Sequence, residues 1–344
     1  MRVYIHIPFC DTKCPYCAFG SVTNHSLMLP YFKALELDLI SQIQALDFDK
    51  IKSVFIGGGT PSVAHYELYD EILFFLKPFL SHSAEITIEA NPNSATMRWL
   101  EYMSSLGVNR VSFGAQSFNK DKLRFLGRAH SIKDIFKAVQ NAKIAGIRNI
   151  NVDLMYATKL DDTKMLKSEL KNIAKLQIKH ISAYALNLEK STPFFKHNEY
   201  VKDSPRLARY LFAGLSDLGL SQYEISNFGK PCKHNLGYWR GDDYIGVGAY
   251  SVGTLGFKRF YAPLSINSYI KDPLARKIEL LSKDDKAFER GFLGLRSKVG
   301  VLKSSIKNQQ NLEILLKSGK LRQRHIRVYN ENFLLADELA NFLF

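Results

Sequence analysis

The 344-residue sequence predicts an α/β fold: a partial (β/α)6 barrel followed by a small, mostly helical C-terminal domain. Three observations predict it. Short β-rich runs alternate with amphipathic stretches about six times, the pattern of a parallel sheet with right-handed crossovers. The polar and glycine-rich segments that stand out fall just after those runs, where such folds gather their sites on one rim. After about residue 200 the rhythm changes. An open sheet fits the alternation as well; the rim clustering favours the barrel.

The elements follow in order. A first strand is expected at 3–7, directly before "PFCDTKCPYC". In "YFKALELDLISQIQAL" apolar residues recur at three- and four-residue steps, with Pro30 at the helix start. A strand at 53–56 leads into "GGGTP", and "YELYDEILFFLKPFL" reads as helix. A strand at 85–88 leads into "EANP", followed by helical "SATMRWLEYMSSLG". A strand at 110–113 leads into "GAQS", and "SIKDIFKAVQNAKIAG" is the next helix. Gly107 and Gly146 sit where helix C-termini favour glycine. Strands at 149–153 and 180–184 flank helical "TKMLKSELKNIAKL", and "SPRLARYLFAGLSDLGL" is a last helix before the composition shifts. The expected organisation is a barrel over 1–200, an extension over 201–275 with "HNLGYW" in a loop, and a small unit over 276–344 that could be winged-helix-like.

Composition narrows the classes. Apolar residues make up 46% and charged residues 23%, an ordinary globular mix. No apolar run approaches the ~18 residues of a membrane span. The start "MRVYIHIPFC" lacks the long apolar stretch of a secretory signal, so the expected location is cytoplasmic. The formal charge of +14 is spread along the chain; residues 276–344 carry 14 Lys/Arg against 8 Asp/Glu without a long basic run. No nucleic-acid contact is expected, because no basic recognition helix stands out.

Three of the four cysteines, Cys10, Cys14 and Cys17, lie within eight residues, and Cys232 is far away. In a reducing compartment such clustering suggests metal or redox chemistry. Structural zinc needs four ligands, and His6, His25 or Cys232 would have to supply the fourth at an unusual spacing. A [4Fe–4S] cluster fits better: three thiolates hold three irons, and the fourth stays open for a chelating ligand.

C-x-x-x-C-x-x-C after the first strand of a (βα) repeat resembles the radical S-adenosylmethionine (SAM) superfamily. The resemblance implies that SAM's amino and carboxylate groups chelate the open iron, and that electron transfer can cleave SAM to a 5′-deoxyadenosyl radical. "YIHIPFCDTKCPYCAF", "IGGGTPS", "RVSFGAQSF", "LGRAH" and "YEISNFGKPCKHNLGYW" resemble the HemN/HemW family, from residue 1 to about 255 and more weakly beyond. By that resemblance Cys10, Cys14 and Cys17 hold the cluster, and Tyr4, Tyr16, Gly58, Gly59, Thr60, Glu89, Gln116, Arg128 and Asp153 contact SAM. The residue types suit the task. Glycines let backbone approach a ligand. Arg128 can grip a carboxylate with two donors, and Glu89 and Asp153 can accept from ribose hydroxyls or an ammonium.

The family divides into oxygen-independent coproporphyrinogen III oxidases and heme chaperones. The oxidases carry an N-terminal segment and a further cysteine two residues after the third ligand. Here the cluster motif begins at Cys10 and that later position is Phe19. "HNLGYW" looks like the H-N-x-x-Y motif of the chaperone branch, which implies His234 and Tyr238 as heme contacts. An imidazole or a tyrosinate can ligate heme iron. Two departures stand out: "LMYATKL" follows Asp153 where the family has a Gly- and Pro-containing stretch, and the turn before His234 is short. The expectation is a heme chaperone that binds a [4Fe–4S] cluster, SAM and heme and passes heme to an acceptor hemoprotein, one candidate being of the respiratory chain. The alternative is an oxygen-independent coproporphyrinogen III oxidase, which decarboxylates propionates to vinyls by radical SAM chemistry; the two departures at the cluster motif count against it. The basic surface leaves room for association with an anionic membrane, and a homodimer stays open.

Overall fold

The computed structural model describes residues 1–344 with the exception of Asp203. Its largest sheet is built from β1 (Arg2–Ile7), β2 (Ile51–Gly58), β3 (Leu80–Ala90), β4 (Arg110–Gln116), β5 (Asn149–Tyr156), β6 (His180–Ala185), β7 (Asn227–Gly229) and β8 (Ile245–Val247). The order is β7-β6-β5-β4-β3-β2-β1-β8. The six predicted strands are all present, parallel and in sequential order, so each crossover advances the sheet by one strand. The short β8 adds to β1 in parallel, and β7 closes the other edge antiparallel to β6. β7 and β8 do not pair with each other, which leaves the barrel partial.

The helices of the barrel are α1 (Met28–Gln44), α2 (Asp70–Leu76), α3 (Met97–Ser105), α4 (Lys120–Phe125), α5 (Ile132–Ile144), α6 (Thr163–Leu176) and α7 (Pro205–Asp217). The starts of α3 to α7 are set by side-chain caps: Thr96, Asn119, the Ser131–Asp134 capping box, Asp162 and Ser204. "YELYDEILFFLKPFL" is broken: a 3-10 turn precedes α2, and the helix yields at Lys77, next to Pro78. Beyond the barrel lie α8 (Lys233–Arg240), a three-stranded sheet of β9 (Val252–Leu255), β10 (Lys258–Tyr261) and β11 (Lys277–Leu280), and α9 (Ile266–Lys271). The C-terminal unit combines α10 (Lys283–Leu295), α11 (Gln309–Lys317) and α12 (Ala336–Leu343) with an antiparallel sheet of β12 (Val301–Leu302), β13 (Leu321–Arg324) and β14 (Arg327–Asn330). It has its own apolar cluster around Leu295, Leu312, Val328 and Leu343.

The strands divide their faces sharply. Outward-facing Val3, Ile5, Ile7, Val54, Ile56, Ile86, Ile88, Val111, Phe113, Val152 and Leu154 are buried under the helices. The alternate positions face the interior and are polar: Arg2, Tyr4 and His6 on β1, Ser53 on β2, Glu85, Thr87 and Glu89 on β3, Arg110 and Ser112 on β4, Asn151 and Asp153 on β5, His180 and Ser182 on β6. Buried polar groups cost free energy unless hydrogen-bonded, and many of these meet one another. His180 pairs through Nδ1 with Asn151 Oδ1 (2.6 Å) and through Nε2 with the Tyr223 hydroxyl (2.8 Å). The barrel is therefore apolar outside and polar inside, a lining suited to a polar ligand rather than to packing alone.

Candidate functional site

At the C-terminal ends of the strands the chain between β1 and α1 makes the cysteine loop. Backbone bonds pin its base: Cys10 N–H donates to Val22 O (3.0 Å) and Val22 N–H to Pro8 O (2.8 Å). His6 holds its far end, Nε2 pairing with Gly20 O (2.8 Å) and Nδ1 with the Tyr4 hydroxyl (2.9 Å). Burial pulls His6 down to about 4, so its ring is neutral at pH 7.

"GGGTP" runs alongside this loop. Gly59 N–H donates to Ile7 O (2.8 Å) and Thr60 N–H to Phe9 O (2.7 Å), so the turn is sewn to the segment that carries Cys10. The Thr60 hydroxyl reaches Cys10 Sγ (3.5 Å). Gly58 has φ +116°, and a Cβ there would lie 2.6 Å from the His6 ring, so no other residue fits without displacing His6. Gly58 N–H donates to Glu89 Oε2 (3.1 Å).

Arg128 enters from the loop after α4. Its Nη1 donates to Cys14 Sγ (3.2 Å) and its Nη2 to Gly114 O (2.7 Å) and Asn91 Oδ1. Nε is buried without an acceptor. The segment that delivers Arg128 is fixed by a buried charge cluster. Lys122 Nζ donates to Asp161 Oδ1 (2.6 Å) and lies 3.8 Å from Glu169. Glu169 also accepts from Ser117 Oγ–H and from Phe118 N–H (2.7 Å).

One cavity is lined by Cys10, Cys14, Cys17, Tyr16, Gly58, Gly59, Thr60, Glu89, Gln116, Arg128 and Asp153. Of the rim residues expected from the sequence only Tyr4 is not among them; it sits beneath, bonded to His6 and stacked on Phe55. Sequence reasoning missed Asn91, Ser112, Gly114 and His130, which also line the cavity. All four were within reach, since they stand in the quoted "EANP", "RVSFGAQSF" and "LGRAH". Asn91 links Arg128 to the Thr60 hydroxyl (3.3 Å from Nδ2). His130 pairs with Ala115 O (2.9 Å), and burial holds it down at about 4.

The acids of the rim share one field. Burial, and after it the Asp153 charge, pushes the Glu89 carboxyl up to about 7 against the lowering pull of Gly58 N–H. Burial also raises Asp153, opposed by bonds from Ser182 and Asn151. A cationic group placed between them would return both to the ionised form. Burial raises the Cys10 and Cys17 thiols, and each is raised again by its neighbouring cysteines.

The model of the radical SAM superfamily matches residues 4–168. A heme chaperone HemW of Lactococcus lactis subsp. lactis (strain IL1403) is 33% identical over 321 residues, covering 89% of this chain and 84% of that protein. The chain belongs to the HemW family of radical SAM proteins. Within the family, heme chaperone HemW of Bacillus subtilis (strain 168) is 35% identical and covers 87% of this chain and 84% of its own length. That of Escherichia coli (strain K12) is 37% identical, over 75% of this chain and 71% of its own. The solved coproporphyrinogen III oxidase (HemN) of Escherichia coli, described as a radical SAM enzyme, superposes with a TM-score of 0.82 over 99% of this chain and 89% of that one, at 20% identity. That likeness shows a shared fold.

Radical SAM membership implies a [4Fe–4S] cluster and SAM, and the rim fits both. Among the described residues no three His, Cys, Asp or Glu side chains converge on a single metal ion. The three thiols line one cavity, and three thiolates suit a [4Fe–4S] cluster with one iron left open. Both His6 nitrogens are engaged, and Cys232 is a buried thiol bonded to Glu85 Oε1 (3.2 Å), so neither is a fourth ligand as placed. The orphan Nε–H of Arg128 is a donor that a carboxylate would satisfy.

The H-N-x-x-Y motif lies elsewhere. "HNLGYW" was expected in a loop; it is helix α8, seated across the N-terminal ends of β1–β3. Tertiary contacts override the weak helical signal of a sequence with an internal glycine. Gly237 lets the helix approach the Arg2 guanidinium so closely that a Cβ would overlap it at 1.7 Å. His234 has no exposed surface. Its Nδ1 pairs with Ser53 Oγ (2.9 Å) and its Nε2 with the Tyr238 hydroxyl (2.8 Å). Burial holds it down at about 3, so it is neutral. As placed, neither nitrogen is free for a heme iron, and His234 serves to anchor α8 to β2.

Proposed function

We propose that this chain is a heme chaperone, which holds a [4Fe–4S] cluster and SAM at the strand C-terminal rim, takes up heme and passes it to an acceptor hemoprotein. The observation that carries this reading is the similarity to heme chaperones over most of both chains, joined to the H-N-x-x-Y motif and to Phe19 where the oxidases place a further cysteine.

Cys10, Cys14 and Cys17 would hold the cluster. When bound, it offers an open iron to the amino and carboxylate groups of SAM and can supply an electron. Arg128 orients the SAM carboxylate through its spare donor while its other nitrogens are fixed on Cys14 and Gly114. Glu89 and Asp153 face the cationic and hydroxyl groups. Gly58 and Gly59 let the backbone come close, and the Tyr16 ring covers one side of the cavity. Nothing in this arrangement obliges SAM to be consumed for heme to be carried.

Handover is the test. The anaerobically reconstituted, heme-loaded chain is mixed with an apo-hemoprotein, and the Soret band of each is followed. Heme is expected to move to the acceptor. Failure to load, or heme that stays on the chain, overturns the proposal. Among the described residues no helix is long and apolar enough to cross a membrane.

A further inference from the structure

A row of buried polar side chains reaches the cysteine-lined cavity from behind. The parallel register sets Asn151 of β5 opposite His180 of β6, and Asp153 opposite Ser182. On its other side Asn151 stands opposite Ser112 of β4. Ser112, Asn151, His180, Ser182 and Tyr223 are all buried. Of this group Asp153 and Ser112 line the cavity; Asn151, His180 and Tyr223 are not among its described lining residues.

The chemistry fixes the direction of every bond in the row. An ionised Asp153 carboxylate can only accept. Asn151 Nδ2 lies 2.7 Å from Asp153 Oδ1, 2.7 Å from Ser112 Oγ and 2.9 Å from Ser182 Oγ, so the amide turns its N–H groups toward the carboxylate. Asn151 Oδ1 then faces His180, and as an acceptor it requires the proton on Nδ1 (2.6 Å). Burial, and after it the Arg110 charge, holds the His180 imidazole well below its usual range, so the ring is neutral. Nε2 is therefore bare and accepts from the Tyr223 O–H (2.8 Å). The Tyr223 oxygen in turn accepts from the N–H of Cys232, the residue before α8 (3.1 Å). A backbone donor anchors one end of the row and a carboxylate the other, so neither the amide nor the imidazole can turn over without stranding a buried partner.

We propose that His180, backed by Tyr223, is a positioning residue for SAM: it keeps the Asn151 amide turned so that its N–H groups hold Asp153 on the cavity wall. The inference rests on the reading that Asp153 contacts SAM. His180 acts only through its neighbours. Without its Nδ1–H, Asn151 Oδ1 loses its donor, and the amide is free to turn its oxygen toward the carboxylate, which repels it.

SAM affinity of the anaerobically reconstituted full chain is measured by equilibrium dialysis. Asp153→Asn is expected to weaken SAM about tenfold, the worth of one hydrogen bond to a charged group. His180→Leu is expected to cost a similar factor. His180→Asn, which keeps an N–H donor near the Nδ1 position, should stay within about twofold of the parent. In an Asp153→Asn background, His180→Leu should cost nothing more, whereas a side chain that merely packs would add its loss. Parental affinity in His180→Leu, equal losses in the Leu and Asn variants, or additive losses in the double variant overturn the positioning role while leaving Asp153 as a contact. Parental affinity in Asp153→Asn overturns the reading beneath it. The unaltered chain supplies a check that no folding defect can obscure. Its ¹⁵N-histidine NMR spectrum, with His180 assigned from the signal missing in His180→Asn, is expected to show a proton on Nδ1 and none on Nε2. The opposite tautomer reverses the row and overturns the proposal.

Discussion

Cys14→Ala abolishes the broad iron–sulfur absorbance near ~400 nm after anaerobic reconstitution. The loss is expected to be complete, because three thiolates hold three of the four irons and, among the described residues, His6, His25 and Cys232 are already engaged. His25 is turned to Cys10 O (3.1 Å), His6 is spent on Gly20 and Tyr4, and Cys232 is buried at the other end of the barrel. The same substitution removes an acceptor of Arg128, whose Nη1 lies 3.2 Å from Cys14 Sγ. SAM binding should therefore weaken together with the absorbance. Burial keeps Cys10 and Cys17 protonated without metal, so loading releases protons, and reconstitution should improve as pH rises. An absorbance in Cys14→Ala equal to that of the parent would remove Cys14 from the ligand set.

Lys122→Met lowers stability by about 3–5 kcal/mol, the range for a buried ion pair that loses one partner. Lys122 has no exposed surface, and neither has Asp161, with Glu169 1% exposed beside them. Methionine matches the length of the lysine stem but strands two buried carboxylates. Asp161 also fixes Thr158 through N–H (2.8 Å) and Oγ–H (2.7 Å), while Glu169 fixes Ser117 and Phe118. The change therefore loosens the β4 and β5 loops together, Gln116 and the Arg128 segment with them. Urea unfolding gives the stability and equilibrium dialysis the SAM affinity. A loss under 1 kcal/mol, or unchanged SAM affinity, would show that the cluster does not position the rim.

The barrel was legible because its signal is local. Each long strand is a β-rich run of four or more residues, and each crossover helix carries its own period. β7 and β8 are three residues each, too short to stand out, and exist because β6 and β1 offer paired edges. The rim was legible for the same reason: cysteines, glycines and acids follow strand ends, and the parallel order brings strand ends together. His234 was not. Its state depends on Ser53, 181 residues away, and on Arg2 and Glu85, which no local pattern links to it. The polar inner face was missed differently. Arg2, His6, Ser112 and Asn151 alternate with apolar neighbours in plain view, but such alternation normally marks a solvent-facing side. Only closure of the sheet turns that side into a lining.

The most direct test of the central claim is one anaerobic incubation of the reconstituted chain with SAM, reductant and coproporphyrinogen III, with a parallel heme titration. The account predicts that heme is retained and no protoporphyrinogen forms. Protoporphyrinogen produced with consumption of SAM, by a chain that retains no heme, would contradict it.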